Sequence, residues 1–201
     1  MFKPRRLLLG THNKGKAKEI SALLAALPFE VQTLDDFPGL IVPEETGTTL
    51  EENAILKARH YAESTGLLTL ADDTGLEVDA LNGAPGVYCS TYAGAGCSYA
   101  DNNLKLIREL HEVPLPKRNA VFRTVIACFD PITQHLELAQ GKLSGFIAST
   151  INGDAGFGYD PVFYIPELGR TLSELTLSQK NLISHRAQAL LQAKNILMRC
   201  L

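Results

Sequence analysis

A short apolar run that ends in two adjacent carboxylates constrains this chain more than any other feature. Residues Leu67–Ala71 read LLTLA and are followed at once by Asp72 and Asp73. Such a run is typical of a buried strand, and burying carboxylates is costly unless cations or hydrogen bonds compensate their charge. We therefore expect a strand that ends at an acidic pair, with a turn at Thr74 and Gly75.

Magnesium is the natural compensating cation for such a pair. It prefers hard oxygen ligands, retains water and is usually completed by substrate phosphates. The alternative is an ordinary Asp-rich turn whose side chains bind nearby backbone amides. Because successive residues of a strand point to opposite sides, we expect one of Asp72 and Asp73, rather than both, to face a metal.

Hydrophobic periodicity elsewhere predicts an α/β chain with a mixed sheet. Strands alternate with helices in the first half, whereas two later strands form a hairpin through Asp130 and Pro131, which favours a mixed over an all-parallel sheet. The predicted strands are Arg6–Gly10, Leu67–Ala71, Val121–Phe129 and His135–Leu143, and the predicted helices include Lys16–Leu27, Asn103–Leu110 and Ser184–Arg199.

The overall composition excludes several classes of protein. With 19 basic and 22 acidic residues the formal net charge is -3, which offers no general attraction for nucleic acid or an anionic membrane surface. No stretch is apolar enough to span a bilayer, and the first residues have too few leucines for a secretory signal. The four cysteines show no CxxC spacing, so we expect reduced thiols in a cytoplasmic protein that binds neither nucleic acid nor membrane.

The segment THNKGK, Thr11–Lys16, lies between a predicted strand and a predicted helix. Backbone amides and the helix dipole at such a junction favour an anion, and the two lysines strengthen that preference. The spacing is not that of a P-loop, so a solvated helix start with a turn at Asn13 and Gly15 explains the motif equally well on its own.

A further predicted helix begins after Thr49, where Glu52 three residues on completes a capping-box pattern. Glu51 and Glu52 are most simply partners of the helix dipole. Glu44 and Glu45 precede the helix, so one of them could reach a divalent cation as an oxygen ligand. The apolar face of the helix carries Leu50, Ala54, Ala58 and Tyr61, and the opposite face carries Asn53, Lys57 and His60.

Two more motifs lie in the C-terminal part of the chain. GFGYDPVF, Gly156–Phe163, combines glycines that allow close backbone approach with aromatic faces on which a base can stack. An aromatic turn packed into the core is the competing interpretation. QKNLISHRA places Lys180 ahead of a helix and His185 with Arg186 in its first turn, where cations oppose the helix dipole and suggest a phosphate or base ligand. A solvent-facing pair of charges is the ordinary alternative.

Each motif is weak on its own, but their joint occurrence in this order is specific to one protein family. The set THNKGK, EETG with ENAILKA, ADDTGLEVDAL, GAPGVY, FGYDPVF and KNLISHR closely resembles the inosine triphosphate pyrophosphatase family, from about residue 7 to about residue 195. The resemblance implies hydrolysis of inosine, deoxyinosine or xanthosine triphosphate between the α and β phosphates, with Mg²⁺ as cofactor. It also implies a homodimer in which residues 1–201 form a single domain, an elongated mixed β-sheet flanked by helices with two lobes around a substrate cleft.

The resemblance also implies roles for individual residues. Asp73 matches the metal-binding residue that accepts a proton, Lys57 matches a lysine near the reacting phosphates, and Glu44 is the best match to a second metal ligand. The implied substrate-binding residues are Thr11, His12, Asn13, Lys14, Gly15, Lys16, Thr74, Phe157, Gly158, Tyr159, Asp160, Lys180, His185 and Arg186. Two positions depart from the family pattern, which often has Ser where this chain has Thr74 and Arg where it has Thr91.

These assignments predict a mechanism. Asp73 and Glu44 are expected to hold Mg²⁺ against the phosphates, while a carboxylate activates the attacking water and lysines stabilise the leaving diphosphate. Because Asp73 cannot readily be both a metal ligand and a base, Asp72 is a candidate for sharing the task. His185 and Arg186 are expected to favour a 6-keto purine over adenine. Two alternatives stay open: a nucleotide pyrophosphatase of different base preference, and a non-catalytic nucleotide-binding module in which the acids hold a structural ion.

Overall fold

A strand, a helix and a second strand open the part of the chain that the computed structural model describes, residues 4–201. They are β1 (Arg5–Leu9), α1 (Lys14–Leu24) and β2 (Phe29–Thr33), and the two strands pair in parallel along their whole length. In α1 the apolar residues Ile20 and Leu24 stand four positions apart, on one face, and both are buried. This face packs the helix onto the sheet.

The later elements continue a mixed sheet with flanking helices. The strand order is β2-β1-β3-β5-β6-β7-β8, with β4 paired to β3. β1 pairs in parallel with both neighbours, whereas β3 with β4, β6 with β7 and β7 with β8 are antiparallel. In chain order these elements are α2 (Leu50–Thr65), β3 (Leu68–Val78), β4 (Pro85–Gly86), α3 (Tyr99–Glu109), β5 (Asn119–Asp130), β6 (His135–Ile147), β7 (Phe163–Ile165), β8 (Arg170–Thr171), α4 (Leu177–Ile183) and α5 (His185–Arg199).

Capping boxes fix where several helices begin. At α2 the Thr49 hydroxyl accepts a hydrogen bond from the Glu52 amide at 3.1 Å, and the Glu52 carboxylate accepts one from the Thr49 amide at 3.2 Å. This confirms the start predicted from the sequence, and α2 ends at Gly66 with a φ of 70°, a conformation that glycine adopts without steric cost. The same box starts α3 with Ser98 and Asp101, and α4 with Thr176 and Gln179.

The chain divides into two compact units. The first contains the chain up to Asp73 together with Thr124–Gly141 and His185–Leu201. Its main core gathers apolar residues of β1, β3, β5, α1 and α5, and a smaller cluster lies around Leu8, Leu34, Tyr61 and Leu67.

The second unit contains Thr74–Arg123 and Lys142–Ser184. It has its own core, in which Phe122 and Phe163 stack with ring centroids 4.5 Å apart and Leu106 of α3 is fully buried. Because β3, β5 and β6 each begin in one unit and end in the other, the backbone passes between the units within strands.

The predicted α/β class with a mixed sheet is confirmed, whereas some details of the prediction are wrong. Lys180 precedes α5 as predicted, but it lies inside the short helix α4, which the sequence prediction overlooked although Thr176 and Gln179 form a capping box. The short strands β2, β7 and β8 were also missed, since runs of two to five residues carry little periodicity.

Candidate active site

Asp72 and Asp73 lie in the middle of β3 and not at its end. Because β3 runs to Val78, the predicted turn at Thr74 and Gly75 is wrong. Both aspartates are buried, and cations within reach offset their charge, so the strand need not end to expose them to water. Consecutive residues of a strand point to opposite sides, and the two carboxylates accordingly contact different partners.

Asp72 is held by two cations from different helices. Lys16 Nζ of α1 lies 3.1 Å from Asp72 Oδ2, and Arg186 Nε of α5 lies 3.3 Å from the same oxygen. Arg186 also pairs with Glu19, a buried residue of α1. Burial alone raises the pKa of Asp72, but the charges of Lys16 and Arg186 outweigh it and hold the pKa well below its ordinary value. Asp72 is therefore ionised at neutral pH and anchors these two cations.

Asp73 has a different environment. Lys57 Nζ of α2 lies 2.7 Å from Asp73 Oδ1 and 2.9 Å from Glu45 Oε1. Burial raises the pKa of the Asp73 carboxyl, and the Lys57 ammonium counters only part of that rise. Burial lowers the pKa of Lys57, but the carboxylates of Asp73 and Glu45 outweigh it, so that pKa is raised. A carboxylate with a raised pKa is a better proton acceptor than an ordinary aspartate.

The carboxylates around Lys57 fit a magnesium ion. Asp73 and Glu45 each direct one carboxylate oxygen to the Lys57 ammonium. Within residues 4–201 no group of three or more His, Cys, Asp or Glu residues could hold a metal. Two carboxylates nevertheless suit Mg²⁺, which commonly takes one or two from the protein and completes its shell with phosphates and water. Glu44, the predicted second ligand, is exposed, and it is Glu45 that reaches Lys57.

The Thr11–Lys16 loop links β1 to α1. Asn13 caps the helix, since its Oδ1 accepts a hydrogen bond from the Lys16 amide at 3.1 Å. Lys16 turns toward Asp72, and burial lowers the pKa of its ammonium in spite of that carboxylate. His12 and Lys14 are exposed. The loop therefore contributes one half-buried lysine to the acidic pair and leaves its other cations, His12 and Lys14, exposed.

A shallow cavity of about 250 Å³ lies on the other side of α1. Three predicted loop residues, the next turns of α1 and residues 33–35 contribute to its wall. The lining includes Thr11, His12, Lys14, Lys18, Ser21 and Asp35.

In the second unit, a compact polar arrangement orders the Phe157–Asp160 segment. Asp160 Oδ2 accepts hydrogen bonds from the Phe157 amide at 2.9 Å and from Lys180 Nζ at 2.5 Å. Lys180 also stands 4.7 Å from the centroid of the Phe157 ring, a cation–π distance. Asn103 of α3 donates to the Gly158 carbonyl at 3.0 Å. Phe157, Gly158, Asp160 and Lys180 are thus brought together as the sequence suggested.

Tyr159 has a structural role. Only 2% of it is exposed, it packs edge-on to Tyr99, and its hydroxyl donates to the Cys89 carbonyl at 2.9 Å. The alternative of an aromatic turn packed into the core therefore holds for this residue, and its ring offers no face to a base. Thr74 follows Asp73 in β3 and is half-buried, while His185 is buried at the start of α5.

The predicted site residues fall into two sets. Lys16, Lys57, Asp72, Asp73 and Arg186 meet in the first unit, and Phe157, Gly158, Asp160 and Lys180 meet in the second. Sequence reasoning missed Glu19 and the roles of Asn53 and His60 in α2. Glu19 stands three residues after Lys16, on the same side of α1, and that spacing was the available signal.

Fold and site together define a class. A lysine-bearing loop before a capped helix, beside two buried aspartates with separate cationic partners, makes an α/β protein suited to a polyanionic phosphate and a hard cation. Residues 7–196 match the family model described as the Ham1 family. The chain belongs to the Ham1 family.

Relatives and solved structures agree with this assignment. A protein of Desulforamulus reducens named dITP/XTP pyrophosphatase is 48% identical over 194 residues, 96% of each chain. One of Elusimicrobium minutum with the same name is 51% identical over 188 residues, covering 92% of this chain and 95% of the relative. The structure of a HAM1 protein from Coxiella burnetii superposes with a TM-score of 0.87 at 41% identity, covering 97% of this chain and 99% of that one. The resemblance inferred from the motifs is thus confirmed.

Among residues 4–201, no helix is both long enough and apolar enough to cross a bilayer.

Proposed function

We propose that this chain hydrolyses non-standard purine nucleoside triphosphates, with inosine, deoxyinosine and xanthosine triphosphates as substrates, to the nucleoside monophosphate and diphosphate. The observation that carries the proposal is the pairing of Lys57 with both buried Asp73 and Glu45 in a chain whose curated relatives are named dITP/XTP pyrophosphatases. The names of those relatives indicate the class of substrate, and the acidic site indicates the hydrolytic reaction.

The two aspartates divide the work. Asp73 takes the proton from the attacking water, because burial raises its pKa. The water oxygen bonds to the α-phosphorus as the bond from that phosphorus to the bridging oxygen breaks, and the diphosphate departs. Asp72, ionised and anchored, holds Lys16 in place toward the phosphates. Lys16 and Lys57 place positive charge where negative charge accumulates on the leaving diphosphate.

Mg²⁺ is the cofactor we propose, held by Glu45 or the neighbouring Glu44 and by one carboxylate oxygen of Asp73, while the other Asp73 oxygen accepts the proton. When bound, the ion neutralises phosphate charge and polarises the phosphorus. Asp73 and Glu45 support the proposal because both already direct carboxylate oxygens to one cation. A matched pair of variants separates the two glutamates. If Glu45 is the ligand, Glu45→Gln raises the Mg²⁺ concentration for half-maximal activity about 10- to 100-fold and Glu44→Gln leaves it nearly unchanged; the reverse pattern assigns the role to Glu44.

Base selection is proposed to use Lys180 and Phe157 of the second unit. A 6-keto purine presents an acceptor where adenine presents a donor, so a cationic donor favours hypoxanthine and xanthine. Lys180 is such a donor and stands against the Phe157 ring, on which a base can stack. His185 and Arg186 are the predicted contributors from α5. Arg186 is 1% exposed and paired with Asp72 and Glu19, so its effect on the base is proposed to be indirect.

We further propose a cytoplasmic homodimer, as the family resemblance implies. The four free cysteines support a reducing compartment. Sedimentation equilibrium on the purified protein tests the dimer, which a single monomer mass at micromolar concentration contradicts.

One assay tests the whole proposal. Diphosphate release is measured from inosine, xanthosine, guanosine and adenosine triphosphates, with and without Mg²⁺. We expect release from the inosine and xanthosine substrates that depends on Mg²⁺ and greatly exceeds release from adenosine triphosphate. Equal rates on all four substrates indicate a pyrophosphatase of broader base preference. Binding without release in saturating Mg²⁺ indicates a nucleotide-binding module.

A further inference from the structure

Three side chains on one face of α2 form hydrogen bonds or an ion pair with the segment that carries Glu44 and Glu45. We call residues 41–47 the acidic loop. Asn53 Oδ1 accepts a hydrogen bond from the Gly47 amide at 2.8 Å. Lys57, one turn further on, binds Glu45 at 2.9 Å. His60, nearly one turn beyond that, donates from Nε2 to the Ile41 carbonyl at 2.7 Å, since a carbonyl can only accept. Positions 53, 57 and 60 share a helix face, so the acidic loop is fastened at both ends and in its middle.

The acidic loop has little apolar anchorage of its own. Ile41 is 76% exposed and Val42 63% exposed, and Glu44 and Glu45 are also exposed. Hydrophobic burial therefore cannot fix the position of these residues, and the polar contacts to α2 must do so.

The contact at Asn53 is the most closely fitted of the three. Asn53 is 3% exposed, so its hydrogen bond to the Gly47 amide is shielded from water. A Cβ atom on Gly47 would lie 2.5 Å from Asn53 Oδ1, a distance at which one of the two groups must move. Glycine at position 47 therefore allows the backbone to approach α2 closely enough for this hydrogen bond.

We propose that Asn53 and His60 are positioning residues that hold the acidic loop so that the Glu45 carboxylate meets Lys57, which also binds Asp73. Neither side chain contacts the reacting groups; each acts through the backbone of the loop. The consequence for catalysis rests on the proposed function, whereas the consequence for the loop does not.

Amide hydrogen exchange tests the loop directly, without metal or substrate. Asn53→Leu keeps a similar volume and removes the acceptor, while Asn53→Asp keeps an acceptor for the Gly47 amide. We expect exchange at Gly47 about tenfold faster in Asn53→Leu and near the wild-type rate in Asn53→Asp. Glu63→Gln, on an exposed position of the same helix, is the matched control. Unchanged exchange at Gly47 in a folded Asn53→Leu variant overturns the proposal.

His60 offers a second, independent pair of variants on a less buried position. His60→Leu removes the donor to Ile41, and His60→Gln retains one. We expect exchange across residues 40–49 to rise about fivefold in His60→Leu and to return toward the wild-type rate in His60→Gln. If Asn53→Leu fails to fold, the His60 variants test whether polar contacts to α2 hold the acidic loop. Equal exchange in the two variants overturns the role of His60.

The consequence for the metal is measured both by binding and by turnover. Mn²⁺ titrated into each variant and followed by its electron paramagnetic resonance signal reports the carboxylate site without catalysis. We expect Asn53→Leu and His60→Leu to weaken Mn²⁺ binding about tenfold and to raise the Mg²⁺ requirement for diphosphate release equally, with little change in KM at saturating Mg²⁺. Equal Mn²⁺ affinity in all variants overturns the positioning role. A wild-type protein that releases no diphosphate refutes the proposed function instead, and leaves the exchange result intact.

Discussion

Replacing Asp72 by Asn measures how strongly the buried charges of the first unit depend on one carboxylate. The Asp72 side chain is 0% exposed, with cationic nitrogens at 3.1 and 3.3 Å from a single oxygen. At such distances an effective dielectric constant near 20 gives a Coulomb attraction of about 5 kcal/mol per pair. Asn is nearly isosteric with Asp, so the substitution removes the charge and leaves Lys16 and Arg186 in place.

The expected loss follows from the cations that stay behind. Lys16 loses the carboxylate with which it is paired, and Arg186 retains Glu19. Removing one member of a buried ion pair typically lowers the free energy of unfolding by about 3–5 kcal/mol. For a chain of this size that corresponds to a fall in Tm of roughly 6–20 °C.

Urea unfolding at neutral pH measures the difference, with Glu137→Gln as the control. Glu137 pairs with Arg199 on the surface, where the side chains are 31% and 58% exposed, and its loss is expected to cost under about 1 kcal/mol. If Asp72→Asn lowers the free energy of unfolding no more than Glu137→Gln does, the reasoning about the buried network is refuted.

The pH dependence of the free energy of unfolding is a second test with the same variant. Because the folded-state pKa of Asp72 is depressed, its stabilising contribution is complete above the unfolded-state pKa and is lost as the pH falls through the folded-state value. The wild type and Asp72→Asn should therefore differ by a constant amount from neutral pH down to about pH 5, and the difference should shrink progressively as the pH falls below about 4. A difference that persists unchanged at pH 2 contradicts the assignment of the depressed pKa to Asp72.

Three other outcomes are expected. Asp73→Asn should reduce kcat by about 10²- to 10⁴-fold with a Tm close to that of the wild type, and near-normal turnover in the folded variant contradicts its role as proton acceptor. Lys180→Met should lower the preference for inosine over adenosine triphosphate about tenfold, measured as a ratio of kcat/KM values; an unchanged ratio removes Lys180 from base selection. Tyr159→Phe loses the hydrogen bond to the Cys89 carbonyl and should lower the free energy of unfolding in urea by about 1 kcal/mol without changing turnover. A large loss of activity at unchanged stability would instead indicate that Tyr159 binds the substrate.

Much of the fold could be read from the sequence because its signals are local. The capping box at Thr49 and the apolar spacing in α1 and α5 depend on residues three or four positions apart, and each predicted its helix. β3 shows the limit of such reasoning. Its polar centre looks like a turn at Thr74, and only cations supplied by α1, α2 and α5 make a continuous strand favourable there.

The candidate site could be predicted in its parts but not in its pairings. The motifs nominated Asp73, Lys57 and the Thr11–Lys16 loop, yet nothing in the spacing indicated that Glu45 would reach Lys57 while Glu44 stays exposed. The partnership of Glu19 with Arg186 joins residues 167 positions apart. Contacts of this kind depend on how helices pack on the sheet, which local patterns do not encode.

The alignment of β3 against β1 has a consequence for the chemistry. The strands are matched with Leu7 beside Leu68 and Leu9 beside Leu70. A slip of one residue would exchange the faces from which Asp72 and Asp73 emerge, so the anchoring carboxylate and the proton acceptor would trade surroundings although no side chain had changed. The two aspartates are chemically identical, so the register of β3 against β1 determines which of them has which task. A single-residue deletion within Leu68–Ala71 should on this ground damage activity more than a conservative apolar substitution there.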